Sequence, residues 1–124
     1  MIMRSHILSI GAALAVFTSS AAYAADGKYS AQLVQILNAT AAGKCSPDMM
    51  GTGLLAACQA QLPAMSAGLA QLGKIDSVTF VSSQDTDKGP IETYAIKYAS
   101  GQTLHWIIGQ FTNGKFETLG TNGS

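Results

Sequence analysis

The stretch Thr93-Tyr94-Ala95-Ile96-Lys97-Tyr98-Ala99-Ser100-Gly101-Gln102-Thr103-Leu104-His105-Trp106-Ile107-Ile108 decides how the rest of the chain is read. On both sides of Ala99-Ser100-Gly101 it mostly alternates residue by residue, and β-branched and aromatic side chains are frequent in it. That is the two-residue period of a half-buried strand. A three-residue loop with Gly101 in the left-handed conformation makes an antiparallel hairpin of it, with Tyr98 opposite Gln102, Ile96 opposite Leu104 and Tyr94 opposite Trp106. This register gathers Tyr94, Ile96, Leu104, Trp106 and Ile108 on one face. Thr93, Ala95, Lys97, Thr103, His105 and Ile107 share the other.

Working outward, Ser77 to Ser83 and Lys115 to Leu119 alternate in the same way, so with Ile91 to Ala99 and Thr103 to Phe111 there are four runs of an antiparallel meander. Asn113-Gly114 is a strong hairpin turn, and two- or three-residue loops there give Phe116 opposite facings. Gln84 to Pro90 is a polar loop.

Before Gly73 the period is helical. Ser30 is placed to cap a helix whose Leu33, Val34, Ile36 and Leu37 share one face, and Gly43 is placed to end it. Ser46-Pro47-Asp48 has the form of a second helix start, which Gly51 and Gly53 keep short. From Gly53 onward Leu55, Cys58, Leu62, Met65, Leu69 and Leu72 follow a three-and-four spacing, one continuous stripe. Pro63 within that stripe predicts a kink or two short helices meeting there, and Gly73 ends the element. The expected fold is therefore α+β: two or three N-terminal helices packed on a four-stranded antiparallel meander sheet, in one small domain over 25–124.

Arg4, the apolar run Ile7 to Phe17 and the ending Ala22-Tyr23-Ala24 have the three-part form of a secretory signal peptide, with cleavage expected after Ala24. The apolar run is about half the roughly 20 residues that a membrane span needs. No lipid anchor or membrane span is expected after cleavage, and the mature chain is expected to be soluble and periplasmic or secreted. It would carry six Lys, no Arg and seven acids, a formal charge of −1. Scattered Lys without Arg supplies no basic stripe, which excludes nucleic acid as a partner. Cys45 and Cys58 are the only cysteines, and in an exported chain they are expected to form a disulfide. One helix through 45–58 would hold them about 20 Å apart, too far to bridge, so the bridge requires a break between them.

Most site chemistries are absent. There is no G-x-S-x-G elbow, no G-x-G-x-x-G or phosphate loop and no H-E-x-x-H, so no cofactor, metal site or catalytic residue is assigned. Asp85 and Asp87 lack the further spaced ligands of a calcium loop. Met49, Met50 and Met65 are core filler and lack the tight run of thioethers a copper site needs. His105 is the only imidazole of the mature part. Of the strand acids Glu92 should face away from it, and Glu117 has an undecided facing. The binding-face candidates are Lys97, His105, Ile107 and Thr93, and the pocket candidates are Tyr94, Tyr98 and Trp106.

Leu72-Gly73-Lys74-Ile75-Asp76-Ser77-Val78-Thr79-Phe80, followed by Tyr94, Ile96, Tyr98, Gly101, Leu104, Trp106 and Asn113-Gly114-Lys115, resembles the sheet half of the nuclear-transport-factor-like domains of the cystatin-like cone group. The resemblance covers mainly Leu62 to Leu119 and implies helices laid on a curved antiparallel sheet. The group includes isomerases and dehydratases as well as noncatalytic binding modules, and no catalytic motif of it carries over to this chain. The expected function is an exported noncatalytic binding or accessory protein, with a protein partner or a second copy on the sheet face. The alternative is a pocket protein for a small apolar ligand, or an acid/base enzyme using His105 with Tyr94 or Tyr98.

Overall fold

In the computed structural model, residues 27–121 are described, and the expected signal peptide lies outside them. The order is α1 (Ser30–Ala41), α2 (Thr52–Leu72), β1 (Ile75–Gln84), β2 (Ile91–Tyr98), β3 (Thr103–Thr112) and β4 (Lys115–Thr121). The strands form one antiparallel meander in the order β1-β2-β3-β4, with both helices against it. This is the α+β architecture expected from the change of period at Gly73.

The central hairpin has the predicted register. Ile96 pairs with Leu104 and Tyr94 with Trp106, and the Tyr98 N–H donates to the Gln102 carbonyl at 2.9 Å. Tyr94, Ile96, Tyr98, Trp106 and Ile108 are buried on the helix side, against Leu33, Ile36 and Leu37 of α1. Each of those aliphatic side chains contributes roughly 2 kcal/mol of burial.

α1 ends as expected. Gly43 adopts φ 89, and the Gly43 and Lys44 N–H groups reach back to the Thr40 and Ala39 carbonyls, the paired bonds of a Schellman motif. Its start differs from the expectation. Ser30 is the first helical residue rather than the cap, and no side chain of the N-cap residue Tyr29 closes the turn. A carboxylate from the sheet instead binds the two residues that lead into the helix, as set out below.

Pro47–Met49 form a single turn, not a second helix, with Met49 and Met50 N–H groups on the Ser46 carbonyl. The chain then pairs briefly with β4: the Phe116 N–H donates to Met49 and the Gly51 N–H to the Phe116 carbonyl. This break lets Cys45 and Cys58 join, with Cα atoms 6.1 Å apart. α2 runs unbroken through Pro63, so the two-helix alternative does not occur. Pro63 and Gln59 are both exposed, and water can serve the Gln59 carbonyl that the proline ring deprives of its donor.

The last hairpin closes in two residues, Asn113 (φ 54) and Gly114 (φ 79), with Thr112 opposite Lys115. Strict alternation from Trp106 and Ile108 would then place Phe111 and Phe116 outside. Gln110, also left-handed at φ 54, breaks the alternation, and Phe116 is fully buried with its ring 4.7 Å from Phe111 and 5.0 Å from Tyr29. The Gln110 amide is tied on both sides: its Nε2 donates to Thr86 and its Oε1 accepts from Thr118.

Candidate functional site

The two helices cover the sheet unequally. α1 buries Leu33, Ile36, Leu37 and Thr40 of its 12 residues, whereas α2 buries only Cys58 and Leu69 of its 21. α2 is held at its ends, by the Gly51–Phe116 bond and the disulfide at one and by the Ser100 N–H on the Leu72 carbonyl at the other. In the middle, Ser66 Oγ donates to the Ala41 carbonyl of α1. These ties fix α2 relative to α1 and the hairpin.

Between α2 and the β3–β4 end of the sheet lies a groove made of two adjoining clefts. One, of about 320 Å³, is walled by Leu54, Met65, Trp106 and Leu119. The other, of about 420 Å³, is walled by Met65, Leu69, Leu72, Leu104 and Trp106. Met65, Trp106 and Thr121 border both. None of the lining residues carries a charge; the polar ones are Gln61, Gln71, Gln102 and Thr121. α2 itself has no charged residue along its whole length, Thr-Gly-Leu-Leu at its start to Ala-Gln-Leu at its end. A surface helix ordinarily shows water a charged face.

Of the three pocket candidates, Trp106 reaches the groove. Tyr98 lies behind it, buried, and its hydroxyl accepts the Trp106 indole N–H at 3.0 Å, which orients the indole. Burial pushes the Tyr98 phenol above its ordinary value, and the indole donor opposes this. Tyr94 is buried at the far side of the core, with Phe80 5.7 Å away.

Tyr94 belongs to a cluster that periodicity does not announce. Glu92 is 3% exposed and faces the core, as its phase with Tyr94 and Ile96 requires. Its carboxylate accepts from the Lys28 and Tyr29 N–H groups, each at 3.0 Å, and from the Tyr94 hydroxyl. An anion is thereby placed at the N-terminus of α1, which has no acid in its own first turn. Gly27 is needed beside it, since a Cβ there would overlap the Tyr94 hydroxyl and Phe80. Burial, and then the Glu92 charge, raise the Tyr29 phenol. The cluster is closed around its own donors and joins the chain start to β2. A charged residue in an apolar phase was the available signal for it.

The binding-face candidates lie together on the outer face of the sheet, with Lys97 opposite Thr103 and Thr93 opposite Ile107. Lys97 is exposed, while Thr93, His105 and Ile107 are half-buried among Ser77, Thr79 and Ser82. Neither Glu92 nor Glu117 reaches His105. Glu92 is on the opposite face, and the Glu117 carboxylate packs against Gly51, where a Cβ would meet it. Among the described residues no group of three or more His, Cys, Asp or Glu could hold a metal, and no helix is long and apolar enough to cross a membrane.

Comparison with protein-family models, curated proteins and solved structures returned no match.

Proposed function

We propose that this chain is an exported, noncatalytic binding protein whose recognition site is the apolar groove between α2 and the β3–β4 end of the sheet. The observation that carries this reading is the groove's lining: large apolar side chains around Trp106, neutral amides at the rim and no charge. Such a lining gains by covering apolar surface and gives nothing back to a carboxylate or phosphate, whose desolvation would go uncompensated. The disulfide and the signal-peptide form of residues 1–24 support a periplasmic or secreted location.

The outer sheet face supports a second contact surface less well. It presents short Thr and Ser side chains around Ala95 and Ile107, the composition of a sheet face turned to water. An acid/base role for His105 has neither Glu92 nor Glu117 to pair with it. The helix-then-meander order supports the resemblance to cone-group domains, whose binding members fit the same reading.

Trp106 is the only tryptophan, so its emission reports on the groove alone. N-phenylnaphthylamine, a neutral apolar dye, is expected to bind saturably, brightening as Trp106 emission falls. Met65→Lys should abolish both signals with the fold intact by circular dichroism. Absence of saturable binding, or an unchanged response in Met65→Lys, contradicts the proposal.

A further inference from the structure

We infer that the groove takes an extended, uncharged peptide segment that adds to the open edge of β4; this rests on the groove being the binding site. The ladder itself identifies the edge. The Tyr98–Gln102 bond and the Gln110 N–H on the Pro90 carbonyl show that even-numbered residues of β3 point their backbone groups at β2. The odd-numbered Ile107 and Gly109 therefore bond to β4, where their partners are Gly120 and Thr118. Leu119, between those two, therefore aims its N–H and C=O away from β3, as Phe116 does toward Met49 and Gly51 on the other side of the break in alternation at Gln110.

Leu119 also borders the groove, since Leu119 and Gly120 line the first cleft together with Leu54 and Gln61 of α2. The chain already uses this edge once. Met50 pairs with Phe116 in parallel, a bridge that stops where α2 begins. An incoming strand continues along β4 the line that Met49 to Gly51 leave at the helix start. Its backbone meets Leu119, and its alternate side chains enter the clefts around Trp106. Gln61 and Gln102 at the rim offer neutral amides, which match a peptide backbone in both donor and acceptor roles. Strand addition of this kind draws affinity from main-chain bonds and selectivity from the side-chain clefts. The lining without charge selects segments without charge.

The probe is a heptapeptide of alternating leucine and glutamine, blocked at both ends, compared with the same peptide N-methylated at alternate residues in either phase. Trp106 emission measures binding, and amide exchange measures protection of the Leu119 N–H. The parent peptide should bind saturably and protect that N–H. Methylation in the phase facing β4 should weaken binding by about tenfold or more, as loss of paired main-chain bonds requires. Equal binding of parent and both methylated peptides, or binding without protection of Leu119, overturns strand addition while leaving the groove as a site. Dye binding without peptide binding also overturns the inference and leaves the groove reading standing. Failure of both dye and peptide removes the groove reading itself.

Discussion

Helix α1 buries Leu33, Ile36, Leu37 and Thr40 within 12 residues, whereas α2 buries only Cys58 and Leu69 within 21. The shorter helix is held by its packing and by a carboxylate at its start. The longer one is held by ties at its ends, and its middle stands beside a groove. Neither has an acid in its first turn or a side-chain cap of its own, so each relies on the sheet. Glu92 bonds the entry to α1, and the Phe116 carbonyl and Glu117 lie at the entry to α2. What differs is whether the apolar face closes. Packing makes a core where it closes, and a place for something else to bind where it does not.

The sharpest way to break this contrast is to truncate one side chain on each helix. Ile36→Ala should cost about 3–4 kcal/mol, the price of a cavity in a filled core. Met65→Ala, on a wall already open to water, should cost less than about 1 kcal/mol. Urea midpoints of the two variants measure the difference, and equal losses would erase it. The disulfide comes next. Reductant, Cys45→Ser and Cys58→Ser should each lower stability by about 3 kcal/mol in the chain-entropy model and behave alike, read as melting temperature. Unchanged melting would mean that α2 does not depend on its tie.

Glu92→Ala tests the α1 side. It removes the acceptor of the Lys28 N–H and leaves the Tyr29 N–H with the Tyr94 hydroxyl alone, and should cost about 2 kcal/mol in urea unfolding. The smallest effect is alkaline. Tyr98 holds its proton in the folded state after an unfolded tyrosine has begun to lose it near 10.0. Its contribution is therefore intact below pH 10.0 and declines above it as the folded-state value is reached. Melting between neutral pH and pH 11 or so, in wild type and Tyr98→Phe, should show a shallower alkaline decline in the variant.

Much of the fold was legible because short-range rules and long-range packing agree in it. Gly43 and Gly101 sit where left-handed backbone is required, and the Tyr94–Trp106 register follows once Gly101 closes its loop. The departures occur where a distant group overrides the local rule. The helix starts one residue earlier than Ser30 as cap would allow, where a carboxylate from β2 binds Lys28 and Tyr29, and Pro63 passes through α2 because its side of the helix faces water. Gln110 takes a conformation that its residue type does not favour, held by Thr86 and Thr118, and so decides the facing of Phe116. Trp106 was legible as an apolar residue on the helix side. That it borders an open groove was not, because the gap depends on where the ties place α2, and periodicity carries no distances.

Amide hydrogen exchange across both helices, without and with N-phenylnaphthylamine, tests the central claim most directly. Leu33 to Leu37 in α1 should exchange only through global unfolding, while residues 59–68 of α2 should exchange faster by at least about tenfold and slow when the dye binds. Protection of α2 equal to that of α1 in the free protein, unchanged by the dye, would contradict the account.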